Sequence, residues 1–200
     1  VHVGEPEYYC RPVPPFGDPA ARIVLVGLAP GMHGANRTGR PFTGDHAGIL
    51  LYRTLYKFGL ASAPESIATD DGLMLKDARI TNSVKCLPPA NKPLPAEIKE
   101  CNAYLKAELE HSRSARVILA LGAIAHVAVL RAYGLPVAGY RFAHAAEHSL
   151  GAGRVLLDSY HCSRYNTQTR RLTTEMFEAV VARARDLAHP GAREGSGGAP

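Results

Sequence analysis

The apolar positions of this chain cluster in short runs, separated by longer stretches with helical spacing. Residues 21–28 (Ala-Arg-Ile-Val-Leu-Val-Gly-Leu) form the first run, 78–84 the second, 115–122 the third and 153–158 the fourth. Runs that do not alternate with polar residues predict strands covered on both faces. Helices are predicted over 46–58, closed by Gly59 as a C′ residue, and over 95–111, opened by Pro95 at the first helical position. Two more are predicted over 122–133, ending at Gly134, and over 173–188. Ile98, Cys101, Leu105 and Leu109 share one face of the second helix, and Met176, Val180, Ala184 and Ala188 one face of the last. Strands alternating with helices predict an α/β domain with a parallel sheet, whose ligand sits beyond the carboxyl ends of the strands. The domain is expected over 1–188, and the Gly/Pro/Ser-rich tail 189–200 is expected to be disordered.

Composition narrows the class. Hydrophobic residues make up 46% and charged residues 20% of 200, which excludes wholesale disorder. No apolar stretch approaches the length of a membrane span, and the first 20 residues read as a loop rather than an export signal, so a cytoplasmic protein is expected. The formal net charge of +5 suits a polyanionic partner without proving one. The four cysteines, Cys10, Cys86, Cys101 and Cys162, are too few for a disulfide scaffold.

Three segments that follow predicted strands carry the candidate chemistry. Residues 27–45, GLAPGMHGANRTGRPFTGD, hold five glycines, which permit close backbone approach to a ligand; Gly48 follows just after. The segment matches neither dinucleotide nor P-loop signatures, and a flexible surface loop is the plain alternative. Residues 81–95, TNSVKCLPPANKPLP, are stiffened by four prolines and offer Asn82 and Asn91, whose amides can read a base edge or serve as turn residues. Residues 159–173, SYHCSRYNTQTRRLT, place His161 after the fourth strand and interleave Arg164, Arg170 and Arg171 with Tyr165, a pattern suited to tracking phosphates. The structural alternative there is a helix entry capped by Thr173.

Taken together, these three segments resemble the motifs of the uracil-DNA glycosylase superfamily, and within it the iron–sulfur branch called family 5. RPVPPFGDP before the first strand is similar too, and the resemblance spans residues 4–187. It implies a three-layer α/β/α fold around a central, mostly parallel four-stranded sheet. It also implies an enzyme that flips uracil, and in this branch other deaminated bases such as hypoxanthine or xanthine, out of DNA and hydrolyses the N-glycosidic bond. By this resemblance Phe42 stacks on the base and Asn82 reads its edge, with Ala29 and Gly31 in the base pocket. Asp45 positions water and stabilises the sugar cation, Asn91 assists, and His161 donates to the departing base. Arg164, Asn166, Arg170 and Arg171 belong to a loop that wedges the duplex and holds phosphates. The chemistry fits, because cleavage builds positive charge on the sugar and negative charge on the base. A monomer is expected.

The sequence departs from the family pattern at several points. Leu28 stands where the neighbouring iron–sulfur family has Glu, which leaves water activation to Asp45. Arg170 stands where Gly is expected, so a positive φ there would be strained. Cys162 and Met32 replace smaller residues. The family binds a 4Fe–4S cluster through four thiolates, and Cys86 and Cys101 match two of them. The other two are expected from a CxxC upstream of Val1. Without the resemblance, Cys101 would read as a core residue of its helix face. The alternative to an enzyme is a non-catalytic module of the same fold that binds uracil or damaged DNA. An unrelated α/β hydrolase or nucleotide binder would lack its GxSxG or P-loop signature here.

Overall fold

All five residues of Ile23–Gly27 (β2) and all five of Val117–Leu121 (β4) are buried, as continuous apolar runs require. The computed structural model describes residues 8–191. In it β2 pairs in parallel with Ala78–Asn82 (β3) on one side and with β4 on the other, and β4 pairs in parallel with Arg154–Ser159 (β6). These are the four predicted strands.

The sheet has six strands, not four. Phe16–Gly17 (β1) adds antiparallel to β3, and Glu147–Gly151 (β5) adds antiparallel to β6, giving the order β1-β3-β2-β4-β6-β5. Neither addition carries an apolar run. β1 is only two residues long, and β5 exposes three of its five residues at the sheet edge. An edge strand with one solvated side has no need of a continuous hydrophobic sequence.

Alternate strand residues feed two cores. Ile23, Leu25, Leu119 and Leu157 pack toward His46–Lys57 (α2) and Thr174–Ala188 (α6), through residues such as Leu51, Tyr52, Phe177 and Val180. Val24, Val26, Ile118 and Leu156 pack toward Pro95–His111 (α3) and Ala123–Ala132 (α4), through Leu105, Leu109 and Val129. The result is three layers, helices on both faces of a mixed sheet. Short helices Ala35–Thr38 (α1) and Arg164–Gln168 (α5) lie in the first and last candidate segments.

The caps follow the chain signals. Asp45 caps α2 by accepting from Gly48 N–H, and Thr173 caps α6 by accepting from Met176 N–H. Gly59, after α2, has φ +72°, the left-handed residue that stops the helix. His189 does not belong to a loose tail. Its Nε2 lies 2.6 Å from Asp77 Oδ2, and Arg22 reaches its Nδ1 at 2.6 Å. The rest of the predicted disordered tail, 192–200, lies outside the described residues.

β2, β3, β4 and β6 point the same way, so Gly27, Asn82, Leu121 and Ser159 end at one edge of the sheet. The connection that leaves β2 runs to β3 on one side, and the connection that leaves the neighbouring β4 runs to β5 and β6 on the other. That makes the β2 end the switch point where open α/β sheets place ligands.

Candidate active site

The long segment after β2 is held rather than loose. Arg40, only 5% exposed, reaches Asp71 at 2.7 Å, Ser66 at 3.0 Å and the Thr69 carbonyl at 2.7 Å, and its guanidinium covers the Phe16 ring at 4.3 Å. Tyr52 of α2 donates to the Pro41 carbonyl at 2.8 Å. These bonds satisfy buried polar groups and set the path of residues 40–43. Phe42 emerges from that path with φ +56°, a left-handed conformation that costs about 1–3 kcal/mol for a non-glycine residue and is tolerated only where the surroundings enforce it.

Phe42 turns its ring onto the end of β2. A Cβ on Gly27 would stand 2.6 Å from the Phe42 ring and would also collide with the Asn82 side-chain oxygen. The missing side chain at Gly27 is therefore what lets Phe42 and Asn82 meet over the backbone. Asn82 is 4% exposed, and among the described residues its Oδ1 has no hydrogen-bond partner. An unpartnered buried acceptor costs about 1–3 kcal/mol, a cost that a bound donor would remove. The Asn82 backbone is fixed from below: Lys85 Nζ donates to the Asn82 carbonyl at 2.8 Å, to Thr81 at 2.8 Å and to Glu108 at 2.6 Å.

Asp45 stands at the head of α2, its Oδ1 taking the Gly48 N–H at 3.0 Å. Its second oxygen faces the glycines of the first loop, where a Cβ on Gly34 would lie 2.7 Å away and one on Gly31 3.8 Å away. Burial raises the carboxyl above its ordinary value, against the opposing pull of the Gly48 and Ala47 amides. Phe42, Asp45, His46, Arg37, Arg53 and Arg164 line a cleft of about 470 Å³.

The segment after β6 brings His161 across to the same place. Its ring stacks on Phe42 with centroids 5.8 Å apart and planes at 29°. Burial pushes its pKa down to about 4, so the ring is neutral near pH 7. Asn166 of α5 donates to the His161 carbonyl at 2.8 Å, so this amide, expected on DNA, spends a donor holding His161. Arg171 lies over the Tyr160 ring at 4.7 Å, and Arg164 faces the cleft. Arg170 is exposed with φ +56°, the conformation for which glycine was expected.

Asn91 stands against the first loop. It is exposed, has φ +56°, and its Oδ1 accepts from Met32 N–H at 3.3 Å, which joins the middle segment to the first. Ala29 and Gly31 are half-buried in the first loop. The sequence reading missed His46, whose Nε2 lies 3.1 Å from Thr167 Oγ1 and ties the start of α2 to α5. Its position beside the capping Asp45 was the available signal. It also missed Lys85, because a lysine in a proline-rich loop gives no sign of being buried.

The cysteines separate into different environments. Cys86 is exposed and Cys101 half-buried. Burial and the neighbouring Cys101 both raise the Cys86 thiol, so the two sulfurs lie within electrostatic reach. Cys162 is fully buried, and Cys10 is exposed with Asn36 donating to its sulfur at 3.7 Å. Among the described residues neither joins Cys86 and Cys101 in a group of three metal-binding side chains.

An aromatic face, a buried amide oxygen awaiting a donor and a capped carboxylate, all at the ends of parallel strands, form a site for a planar heterocycle with chemistry beside it. Comparison with known proteins gives the same direction. The model of the family described as "Uracil DNA glycosylase superfamily" matches residues 14–185. A type-5 uracil-DNA glycosylase of Thermus thermophilus is 53% identical over 92% of this chain and 84% of its own length. Those of Pyrobaculum aerophilum (43% identical; 88% and 76% covered) and Mycobacterium tuberculosis (45%; 90% and 68%) are similar as well. The chain belongs to the uracil-DNA glycosylase superfamily.

Proposed function

We propose that this protein excises uracil from DNA by hydrolysing the N-glycosidic bond and leaving an abasic site. The observation that carries the reading is the unpartnered Asn82 Oδ1 beside Phe42. Uracil presents an N3–H donor next to its O4 acceptor, so an amide can accept from the first and donate to the second. Cytosine presents the reverse order. Phe42 supplies a face for the flipped base to stack on.

In the reaction the C1′–N1 bond breaks and its electron pair leaves with the base. Neutral His161 donates an N–H hydrogen bond toward the uracil oxygen on which that charge collects, and needs no extra proton to do so. Asp45, ionised, stabilises the cationic sugar and accepts a proton from the water that adds to C1′. Asn91 steadies the first loop through Met32. Arg164, Arg170 and Arg171 face the phosphates of the opened duplex. Hypoxanthine and xanthine are further candidate bases. The enzyme is read as a cytoplasmic monomer.

Cys86 and Cys101 would provide two thiolates to a 4Fe–4S cluster, a group that orders the surface it occupies. No step above runs through it. Loss of a broad visible absorbance in Cys86→Ser and Cys101→Ser would support this assignment, and unchanged spectra would remove it.

The test of function is a duplex with one uracil, incubated with the protein and then cleaved by alkali. Strand breaks with free uracil support excision. Tight binding to uracil-containing DNA with no base release would favour the second reading, a damage-binding module, for which the strained Arg170 speaks.

A further inference from the structure

A second buried polar cluster lies away from Phe42, Asp45 and Asn82. Asp158 of β6 is fully buried, and it faces α4 on the same side of the sheet as Leu156. His126 of α4, 1% exposed, brings Nδ1 to 2.8 Å from Asp158 Oδ1. His148 of β5, which pairs across from Leu156, brings Nε2 to 3.3 Å from Asp158 Oδ2. Each carboxylate oxygen is thus faced by one imidazole nitrogen, and the three atoms lie within 4.8 Å of one another.

The tautomer of His126 is set by its other nitrogen. Nε2 lies 3.0 Å from the Tyr140 carbonyl, which can only accept, so Nε2 carries the hydrogen. In a neutral ring Nδ1 then presents a bare lone pair to a carboxylate oxygen at 2.8 Å. Two acceptors cannot share that distance without a cation between them. A histidine that donates one N–H to a backbone carbonyl and offers the other nitrogen is also the usual geometry of a metal-ligating imidazole. Tyr140 and Phe142 stand edge-on to His148 and His126 and shield the cluster.

We propose that His126, His148 and Asp158 form a binding site for a divalent transition cation of the zinc class. Two imidazoles and a carboxylate make a donor set that zinc accepts. Tetrahedral metal–ligand bonds of about 2.1 Å set ligand atoms about 3.4 Å apart, so a pair near the 4.8 Å limit closes by about an ångström or more as the ion binds. The three ligands come from α4, β5 and β6, and the ion would pin the edge hairpin to the helix layer. Asp158 lies three residues before His161, so the same ion steadies the strand that delivers it. The site does not depend on the proposed base chemistry.

The test is Co²⁺ titration of the full chain, purified in chelator, in a Cys86→Ser/Cys101→Ser background that removes the thiolate pair. One equivalent bound with a visible d–d band, without the charge-transfer band of thiolate ligation, is expected. His148→Ala, at the exposed edge of the cluster, and His126→Gln should each weaken binding by about 100-fold or more. Zn²⁺ should compete with Co²⁺ and raise Tm in the parent but not in either variant. Absence of binding, or binding unchanged by both substitutions, overturns the proposal and leaves a proton as the cation between His126 and Asp158.

Discussion

The rings of Phe42 and His161 stack with centroids 5.8 Å apart, although one residue follows β2 and the other follows β6. In the proposed mechanism a base laid on Phe42 lies beside the histidine that donates to its oxygen. Phe42→Ala removes the stacking face, worth about 1–3 kcal/mol per base, and should lower kcat/KM for uracil DNA by roughly 10- to 100-fold. Phe42→Leu should lose less. Steady-state kinetics on a single-uracil duplex measures both.

In the proposed mechanism Asp45 sets the acid limb of activity. Its carboxyl is raised by burial, so the rate should climb with pH through a value above the ordinary 3.8 and then level off. Asp45→Asn should lower kcat by about 100- to 10,000-fold and flatten that limb. The expected signature is a fall in kcat with KM and DNA affinity little changed.

His161 links stability to pH in a definite direction. Its pKa falls from 6.5 to about 4 on folding, so between those values the unfolded chain binds more protons. The histidine's contribution is whole above pH 6.5 and is lost as pH falls toward about 4. Urea midpoints across that range should drop on acidification, and drop less in His161→Gln.

Gly27→Ala tests the contact that builds the base pocket. The added methyl group meets Asn82 Oδ1 and the Phe42 ring, and one of them must move. Overpacking of this kind costs about 1–3 kcal/mol, and activity should fall by about 100-fold while the fold persists. Circular dichroism beside the uracil assay separates the two effects.

Arg170→Gly relieves a left-handed arginine. Stability should rise by about 1 kcal/mol, read as a higher Tm. The loss of one phosphate-facing charge should reduce the salt slope of DNA binding by about one. A lower Tm would mean that the arginine side chain contributes more than its backbone costs.

The β-rich runs at 21–28, 78–84, 115–122 and 153–158 marked the four parallel strands; β2 and β4 are apolar throughout as strands buried on both faces, whereas β3 and β6 also bury Thr81, Asn82, Asp158 and Ser159. The Thr173 cap, Pro95 and Gly59 marked helix ends through local backbone chemistry that needs no distant partner. The resemblance named Phe42, Asp45, Asn82 and His161, and the glycine expected at position 170 anticipated its positive φ. Tertiary structure alone decided the two edge strands, whose polar faces look like loop sequence. It turned Asn166 toward the His161 carbonyl and Lys85 beneath Asn82. It also gathered His126, His148 and Asp158, which no spacing along the chain relates. Those contacts join elements far apart in sequence, and only packing of the helices on the sheet brings their atoms within bonding distance.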